Sequence, residues 1–133
     1  MCGIIGINSN RPVSSTIISS LKKLEYRGYD SAGIATLSNN EINEVKSEGR
    51  VDNLENNLLV QKMEGTIGIG HVRWATHGLP NSINAHPHSS QNVSVVHNGI
   101  IENSTLLKKF LVSKGHKFKS VSYTHLRAHE TRS

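Results

Sequence analysis

The sequence is short of cysteine, of aromatic residues and of long apolar runs. Its single cysteine, Cys2, excludes an internal disulfide bond and suits a reducing compartment, so we expect a cytoplasmic protein. No apolar run approaches the roughly 20 residues that a membrane-spanning helix needs. The N-terminus also lacks the basic stretch and apolar segment of a signal peptide. The sequence therefore predicts a soluble chain with no membrane partner.

Aromatic residues make up 5% of the 133 residues, too few for a platform on which single-stranded nucleic acid stacks. The net charge of +5 and the pI of about 9.6 would favour nucleic-acid binding if the basic residues were spread over the protein. However, residues 108–133 contain seven basic residues and one acidic residue, a net charge of +6, so the rest of the chain carries −1. We therefore expect no nucleic-acid partner.

Apolar periodicity predicts a mixed α and β protein, with room for one domain or part of one. Short β-branched runs predict strands, and three helices are predicted between them. Strands outnumber helices, and Asn39-Asn40 predicts a hairpin turn, so we expect an antiparallel or mixed sheet with helices packed on it. The predicted strands are 3–7, 31–37, 41–46, 66–72 and 93–97.

Each predicted helix has a candidate capping residue and an apolar face. The expected caps are, in chain order, a serine of Ser14-Ser15, Asp52, and Asn103 or Ser104. The third helix is expected to end at Gly115. The residues predicted to face inward are Ile17, Ile18, Leu21 and Leu24, then Leu54, Leu58 and Leu59, then Leu106, Leu107, Phe110 and Leu111.

Cys2 directly follows the initiator methionine, and removal of Met1 would give it a free α-amine beside its thiol. An unperturbed α-amine has a pKa of about 8, so it can act as a base near neutral pH. A nucleophile beside a terminal amine is one way in which proteins activate a thiol. The alternative is a buried structural cysteine, because free cysteines are commonly buried.

Two further polar segments follow predicted strands. Arg73 could hold a substrate carboxylate in a bidentate pair, or it could form an ordinary surface salt bridge. The side-chain amide of Asn98 and the backbone N–H of Gly99 could form a two-donor oxyanion hole. Asn-Gly is also the commonest pair in type I′ turns. Taken alone, these residues leave both alternatives open.

Five motifs, in this order, resemble the N-terminal glutaminase domain of the class II glutamine amidotransferases. They are CGIIGI at 2–7, EYRGYDSAGIA at 25–35, GHVRWATHG at 70–78, NAHPH at 84–88 and HNGIIEN at 97–103. The resemblance covers residues 2 to about 120. It implies an α+β fold of the N-terminal-nucleophile hydrolase type, an αββα sandwich of antiparallel sheets that is incomplete over this length.

Within that family, Tyr26, Tyr29, the run 74–78 and His86-Pro87-His88 resemble the branch that makes glucosamine 6-phosphate from fructose 6-phosphate. The resemblance implies that glutamine is hydrolysed here and that ammonia passes to a separate isomerase domain, which these residues do not include and which binds fructose 6-phosphate. It also implies a homo-oligomeric full-length enzyme of amino-sugar biosynthesis without a cofactor. The alternatives are another class II enzyme, such as amidophosphoribosyltransferase, and a non-catalytic binding module with the same fold.

The resemblance implies a catalytic role for three residues. Mature Cys2 attacks the side-chain carboxamide of glutamine, and its own α-amine accepts the thiol proton. Asn98 and the N–H of Gly99 stabilise the tetrahedral oxyanion. Water then hydrolyses the γ-glutamyl thioester to glutamate. Because the terminal amine acts as the base, no catalytic histidine is expected.

The resemblance also implies residues that hold the substrate. Arg73 binds the α-carboxylate of glutamine, with Thr76 and His77 nearby in the same loop. Trp74 lies in a loop that closes over the bound glutamine. Arg27 supports the position of the N-terminal residue.

Residues 1–120 are therefore interpreted as the N-terminal part of a glutaminase domain. Residues 121–133 lack the acidic run of the family, whose Asp binds the substrate α-amino group, and we expect this tail not to be native to the family. The 133-residue chain alone is expected to be weak or inactive. His86-Pro87-His88 could suggest zinc, but no ligand set has structural-site spacing, so no metal is expected.

Overall fold

A computed structural model of the chain describes residues 2–27, 29–60, 62–74, 83–99 and 101–118, and of residues 27, 59 and 60 it describes the backbone alone. The described part contains six strands, three α-helices and one short 3-10 helix, Glu25–Arg27. The strands are β1 (Gly3–Asn8), β2 (Ser31–Ser38), β3 (Glu41–Glu48), β4 (Ile67–Arg73), β5 (His88–Ser90) and β6 (Val93–Val95). The α-helices are α1 (Ser14–Leu24), α2 (Val51–Val60) and α3 (Ser104–Ser113).

Four of the strands form one antiparallel sheet in the order β1-β4-β2-β3. β2 and β3 are joined by a tight hairpin in which Asn39 and Asn40 have φ of 52° and 62°, as a type I′ turn requires. β1 pairs with β4, which lies far from it in sequence, so that Gly3 is opposite Val72. The expected antiparallel sheet and the Asn39-Asn40 turn are confirmed.

Helices α1 and α2 cover one face of this sheet. The inward residues Ile17, Ile18 and Leu21 of α1 are buried in the main hydrophobic core, as their helical spacing predicts. α1 lies close to β4 because Gly70 has no side chain: a Cβ there would be 2.5 Å from Cγ2 of Ile17. Further core side chains come from α2 and from the inward positions of β2, β3 and β4, and they include Leu54, Ala32, Ile34, Val45 and Val72.

The opposite face of the sheet is covered at one end by the segment 84–88, which leads into the two-stranded sheet β5-β6. A Cβ on Gly33 of β2 would overlap the carbonyl oxygen of His86 and lie 2.9 Å from Cδ of Pro87, so this crossing needs glycine. Farther along the same face, Leu37 and Ile67 are exposed. The described residues thus contain one helical layer, one full sheet and the beginning of a second, the α+β sandwich in partial form.

The starts of two helices differ from expectation. Val13 holds the N-cap position of α1, and no side chain caps that helix, so the predicted serine cap is wrong. α2 begins at Val51, one residue before the expected cap Asp52, and the Val51 N–H donates to Oε2 of Glu25 at 3.2 Å. A carboxylate from another element thus stabilises this helix N-terminus, which local sequence cannot reveal.

α3 ends as expected, with Gly115 at a φ of 92°. Asn103 holds its N-cap position without a side-chain hydrogen bond. None of its side chains is buried, and Leu106 and Phe110 are exposed, so the predicted inward face has no core to face within the described residues. No helix of the described residues is long and apolar enough to cross a membrane.

We expect Gly33→Ala to lower the free energy of unfolding by about 1–3 kcal/mol, the usual cost of overpacking, because the added methyl meets backbone atoms that cannot rotate away. Chemical denaturation followed by circular dichroism measures it. Gly6→Ala is the matched control: its new Cβ would find its nearest neighbour, Cγ2 of Ile69, at 3.9 Å. Equal stability changes for the two variants would show that the close crossing at Gly33 is not a constraint.

Candidate active site

Cys2 lies at the end of β1, where the antiparallel pairing with β4 places it beside Trp74. The backbone N–H of Trp74 donates to the Sγ of Cys2 at 3.3 Å, and the thiol lies 3.8 Å from the Trp74 carbonyl oxygen. The side chain of Cys2 is only partly buried and is not in the hydrophobic core. The alternative of a buried structural cysteine is therefore wrong.

Asn98 lies beside Cys2 although 96 residues separate them in sequence. Its Nδ2 donates to the carbonyl oxygen of Cys2 at 2.8 Å. A side-chain amide has two N–H groups, and among the described residues Cys2 is its one hydrogen-bond partner. The tertiary structure therefore places an amide donor at the residue that carries the thiol.

Asn98 and Gly99 do not form a type I′ turn. Such a turn requires positive φ at both central residues, and neither residue is among those with positive φ. β6 pairs with β5, which precedes it, so the segment 97–99 leaves the end of β6 and does not join a hairpin. The turn alternative is wrong, and the polar interpretation of this pair remains.

Arg73, the last residue of β4, is 4% exposed, and its Nη1 lies 3.7 Å from Oδ1 of Asp30. The Asp30 N–H donates to the Arg73 carbonyl oxygen at 2.8 Å, and Ser31 Oγ donates to Oδ1 of Asp30 at 2.9 Å. The alternative of a surface salt bridge is wrong, because this ion pair is buried. Asp30 anchors the start of β2 against the end of β4.

The remaining predicted site residues are only partly covered. Trp74 is 52% exposed and begins the segment that follows β4. Thr76 and His77 lie outside the described residues, as does the side chain of Arg27. The structure thus brings together Cys2, Trp74 and Asn98. Arg73 directly precedes Trp74 in the chain, and its guanidinium is held by Asp30.

Three histidines, His71, His86 and His88, form a buried group to which the sequence analysis assigns no role. The rings of His71 and His86 stack with centroids 4.2 Å apart, and those of His86 and His88 are 4.4 Å apart. Burial lowers the pKa of His71 to about 3, opposed by the backbone of His97. Burial also lowers the pKa of His86, with repulsion from the neighbouring cationic groups adding to it. Both rings are therefore neutral at physiological pH.

Sequence alone offers a weak signal for this group. Alternation along β4 puts His71 on the face opposite Val72, and the register pairs His71 with Gly33 of β2. The alternation pattern cannot predict that the segment 84–88 crosses over Gly33, because this contact joins residues more than 50 positions apart. Among the described residues, no group of three or more His, Cys, Asp or Glu side chains is arranged to hold a metal ion.

Comparison with known proteins identifies the family. A protein from Mesorhizobium japonicum named glutamine–fructose-6-phosphate aminotransferase (isomerizing) is 53% identical over 129 residues, and its namesake from Clostridium acetobutylicum is 54% identical over 128. These alignments cover 97% and 95% of this chain. The chain belongs to the glutamine–fructose-6-phosphate aminotransferase family. It spans 21% of the length of each of these relatives. No protein-family model matches the chain.

Solved structures place this family member among the amidotransferases. The chain superposes on glutamine phosphoribosylpyrophosphate amidotransferase from B. subtilis with a TM-score of 0.78 and 29% identity, over 93% of this chain and 27% of that one. A second structure, of the allosteric regulatory enzyme of purine biosynthesis, gives a TM-score of 0.79 at 29% identity. The expected N-terminal-nucleophile fold is confirmed in its partial form.

The buried histidines predict an acid-sensitive fold. Since the pKa of His71 is about 3 in the folded state and about 6.5 when unfolded, the unfolded state binds more protons between these values. The free energy of unfolding should therefore fall as the pH falls from about 7 towards 4, with a slope of up to about 1.4 kcal/mol per pH unit per group. Urea denaturation at a series of pH values measures this slope.

His71→Phe is the informative variant, because it keeps a flat ring in the stack and removes the titrating nitrogen atoms. Its stability should depend less steeply on pH than that of the unsubstituted protein below about pH 6.5, with the remaining slope coming from His86 and other groups. Identical slopes would mean that His71 is not held neutral by burial.

Proposed function

We propose that this chain is part of a glutaminase in which Cys2 is the nucleophile. The observation that carries the proposal is the convergence at Cys2 of the end of β4 and the loop after β6, with the Trp74 N–H 3.3 Å from Sγ and Asn98 Nδ2 2.8 Å from the carbonyl oxygen. A non-catalytic binding module would need neither a partly accessible thiol nor an amide donor beside it. The family relationship supports the same assignment.

The proposed chemistry uses the terminal amine that removal of Met1 provides. The α-amine of Cys2 takes the thiol proton while Sγ forms a bond to the carboxamide carbon of glutamine. The carbonyl oxygen becomes an oxyanion that accepts hydrogen bonds from the second N–H of Asn98 and from the Gly99 N–H. The C–N bond then breaks, the amine returns its proton to the departing ammonia, and water hydrolyses the thioester to glutamate.

Arg73 is proposed to bind the α-carboxylate of glutamine. Its guanidinium is a rigid, planar group suited to a carboxylate, and the ion pair with Asp30 orients it at the end of β4. Thr76 and His77 complete this proposed binding loop, Trp74 closes over the substrate, and Arg27 supports Cys2.

For the whole protein, we propose transfer of the released ammonia to fructose 6-phosphate, giving glucosamine 6-phosphate. Support comes from the names of relatives that are 51–54% identical to this chain. The alternative, an amidophosphoribosyltransferase, is supported less well, because this chain is only 29% identical to the B. subtilis amidotransferase structure. A free, reactive thiol also favours the reducing cytoplasm as its location. No cofactor is assigned, and homo-oligomerisation of the full-length enzyme stays a prediction.

The test uses a chimera in which residues 1–118 of this chain replace the matching N-terminal segment of the Clostridium acetobutylicum relative. We expect the purified chimera to lack Met1, to release glutamate from glutamine and, with fructose 6-phosphate, to make glucosamine 6-phosphate. Cys2→Ala should lower glutamate release by about 10³-fold or more, because the nucleophile is lost. The isolated 133-residue chain should be much weaker than the chimera, and efficient hydrolysis by it would contradict that expectation.

Circular dichroism is the folding control for the Cys2→Ala chimera. Its spectrum and thermal transition should match those of the unsubstituted chimera, because Cys2 is only partly buried and lies outside the hydrophobic core. A folded chimera with Cys2 intact that never releases glutamate from glutamine would overturn the glutaminase assignment.

Asn98→Ala tests the oxyanion role separately. Loss of one such donor typically lowers kcat by about 10²–10³-fold, and we expect this effect with little change in KM. Asn103→Ala is the matched control, since Asn103 is an exposed amide at the start of α3 whose side chain makes no capping bond. Similar kcat values for the two variants would remove Asn98 from the mechanism.

A further inference from the structure

His71, His86 and His88 form a histidine column, in which the rings of His71 and His86 stack and the rings of His86 and His88 are tilted by 56°. The column stands on the sheet face opposite α1. His71 belongs to β4, His86 precedes β5, and His88 is the first residue of β5. All three side chains are almost fully buried. Burying a polar ring costs free energy unless the ring is hydrogen-bonded, and nothing in the proposed chemistry uses these three.

The position of His86 is tightly determined. Its ring lies between those of His71 and His88, and its backbone is in contact with β2 at Gly33, where no side chain would fit. His86 is therefore a fixed point attached to the central strands of the sheet, and any group bonded to it inherits that position.

The group bonded to His86 belongs to the proposed oxyanion loop. The backbone N–H of His97 donates to Nδ1 of His86 at 3.4 Å. The next residue, Asn98, donates from Nδ2 to the carbonyl oxygen of Cys2 at 2.8 Å. One continuous set of contacts thus runs from the sheet through His86 to the amide donor beside the nucleophile.

We propose that His86 is a positioning residue for glutamine hydrolysis, whose ring Nδ1 accepts the His97 N–H and so holds Asn98 and Gly99 where the oxyanion forms. This inference rests on the proposed glutaminase function. Among the described residues, no hydrogen bond joins His86 to Cys2. Its effect on the reaction passes through the backbone of the loop.

The role requires that Nδ1 of His86 carries no proton, because a protonated nitrogen cannot accept the His97 N–H. The groups around the ring all favour its neutral form: burial, the neighbouring rings of His71 and His88, and the cations Arg73 and Lys46 lower the pKa of His86. The hydrogen bond from the His97 N–H then selects the tautomer. In the neutral ring, the proton then resides on Nε2.

Two substitutions separate the acceptor from the packing. His86→Phe keeps a flat ring and removes the acceptor, whereas His86→Asn loses the ring but places a carbonyl oxygen close to the position of Nδ1. In the chimera, we expect His86→Phe to lower kcat for glutamine hydrolysis by about tenfold or more with a smaller change in KM, as misplacement of an oxyanion donor does. His86→Asn should restore kcat to within about threefold, because the hydrogen bond is re-formed.

Alkylation of Cys2 by iodoacetamide is the accompanying control, since that displacement forms no oxyanion and reports only on the accessible thiolate. Its rate should be similar in both His86 variants. Equal losses of kcat in His86→Phe and His86→Asn, or no loss in His86→Phe, would overturn the proposal in favour of simple packing.

A measurement on the unsubstituted chimera does not depend on how the variants fold. With ¹⁵N-labelled histidine, the His86 ring should show an unprotonated Nδ1 and a protonated Nε2, and a proton on Nδ1 would overturn the proposal. If this tautomer is found and the chimera fails to hydrolyse glutamine, the positioning contact stands and the proposed function fails. If glutamine is hydrolysed and Nδ1 is protonated, the reverse holds.

Discussion

The antiparallel pairing of β1 with β4 is the constraint on which the rest of the site depends. With Gly3 opposite Val72, Cys2 comes to the end of β4, where the Trp74 N–H reaches its sulfur at 3.3 Å. A shift of one residue in this register would turn every side chain of β1 to the other face. It would also carry the thiol away from Trp74. N-terminal residues are poorly ordered unless they are held by a sheet or another element. Here the pairing of β1 with β4 holds Cys2 in place.

The second constraint is the crossing of the segment 84–88 over the sheet. Gly33 lets the backbone of His86 approach β2, and the stacked rings attach this segment to β4. The loop that carries Asn98 is joined to His86 through the His97 N–H. The same sheet therefore positions both groups: Cys2 through the pairing of β1 with β4, and Asn98 through the contact of His97 with His86. Asp30 holds Arg73 at the end of β4.

Much of this architecture could be predicted from local patterns. Alternation and helical spacing located five of the six strands and all three helices, and the Asn39-Asn40 turn was recognisable from its residue types. The misses have different physical causes. The start of α2 is stabilised by Glu25, which precedes Val51 by 26 residues. The strand β5 has only three residues, too few for an alternation pattern, and the apolar face of α3 has no partner among the described residues.

The sequence by itself determined the family and proposed the candidate residues, because the motifs around Cys2, Arg73 and Asn98 have a specific order and spacing. The relatives at 51–54% identity confirm the family. It also predicted a tail at 121–133 unlike the family, and this stays a prediction because those residues lie outside the described ones. Only the tertiary structure overturned the type I′ turn at Asn98-Gly99 and the surface salt bridge at Arg73, and only it brought His71 and His86 together. The contacts of Asn98 with Cys2 and of Arg73 with Asp30 join residues 96 and 43 positions apart, and local sequence patterns carry no information about such partners.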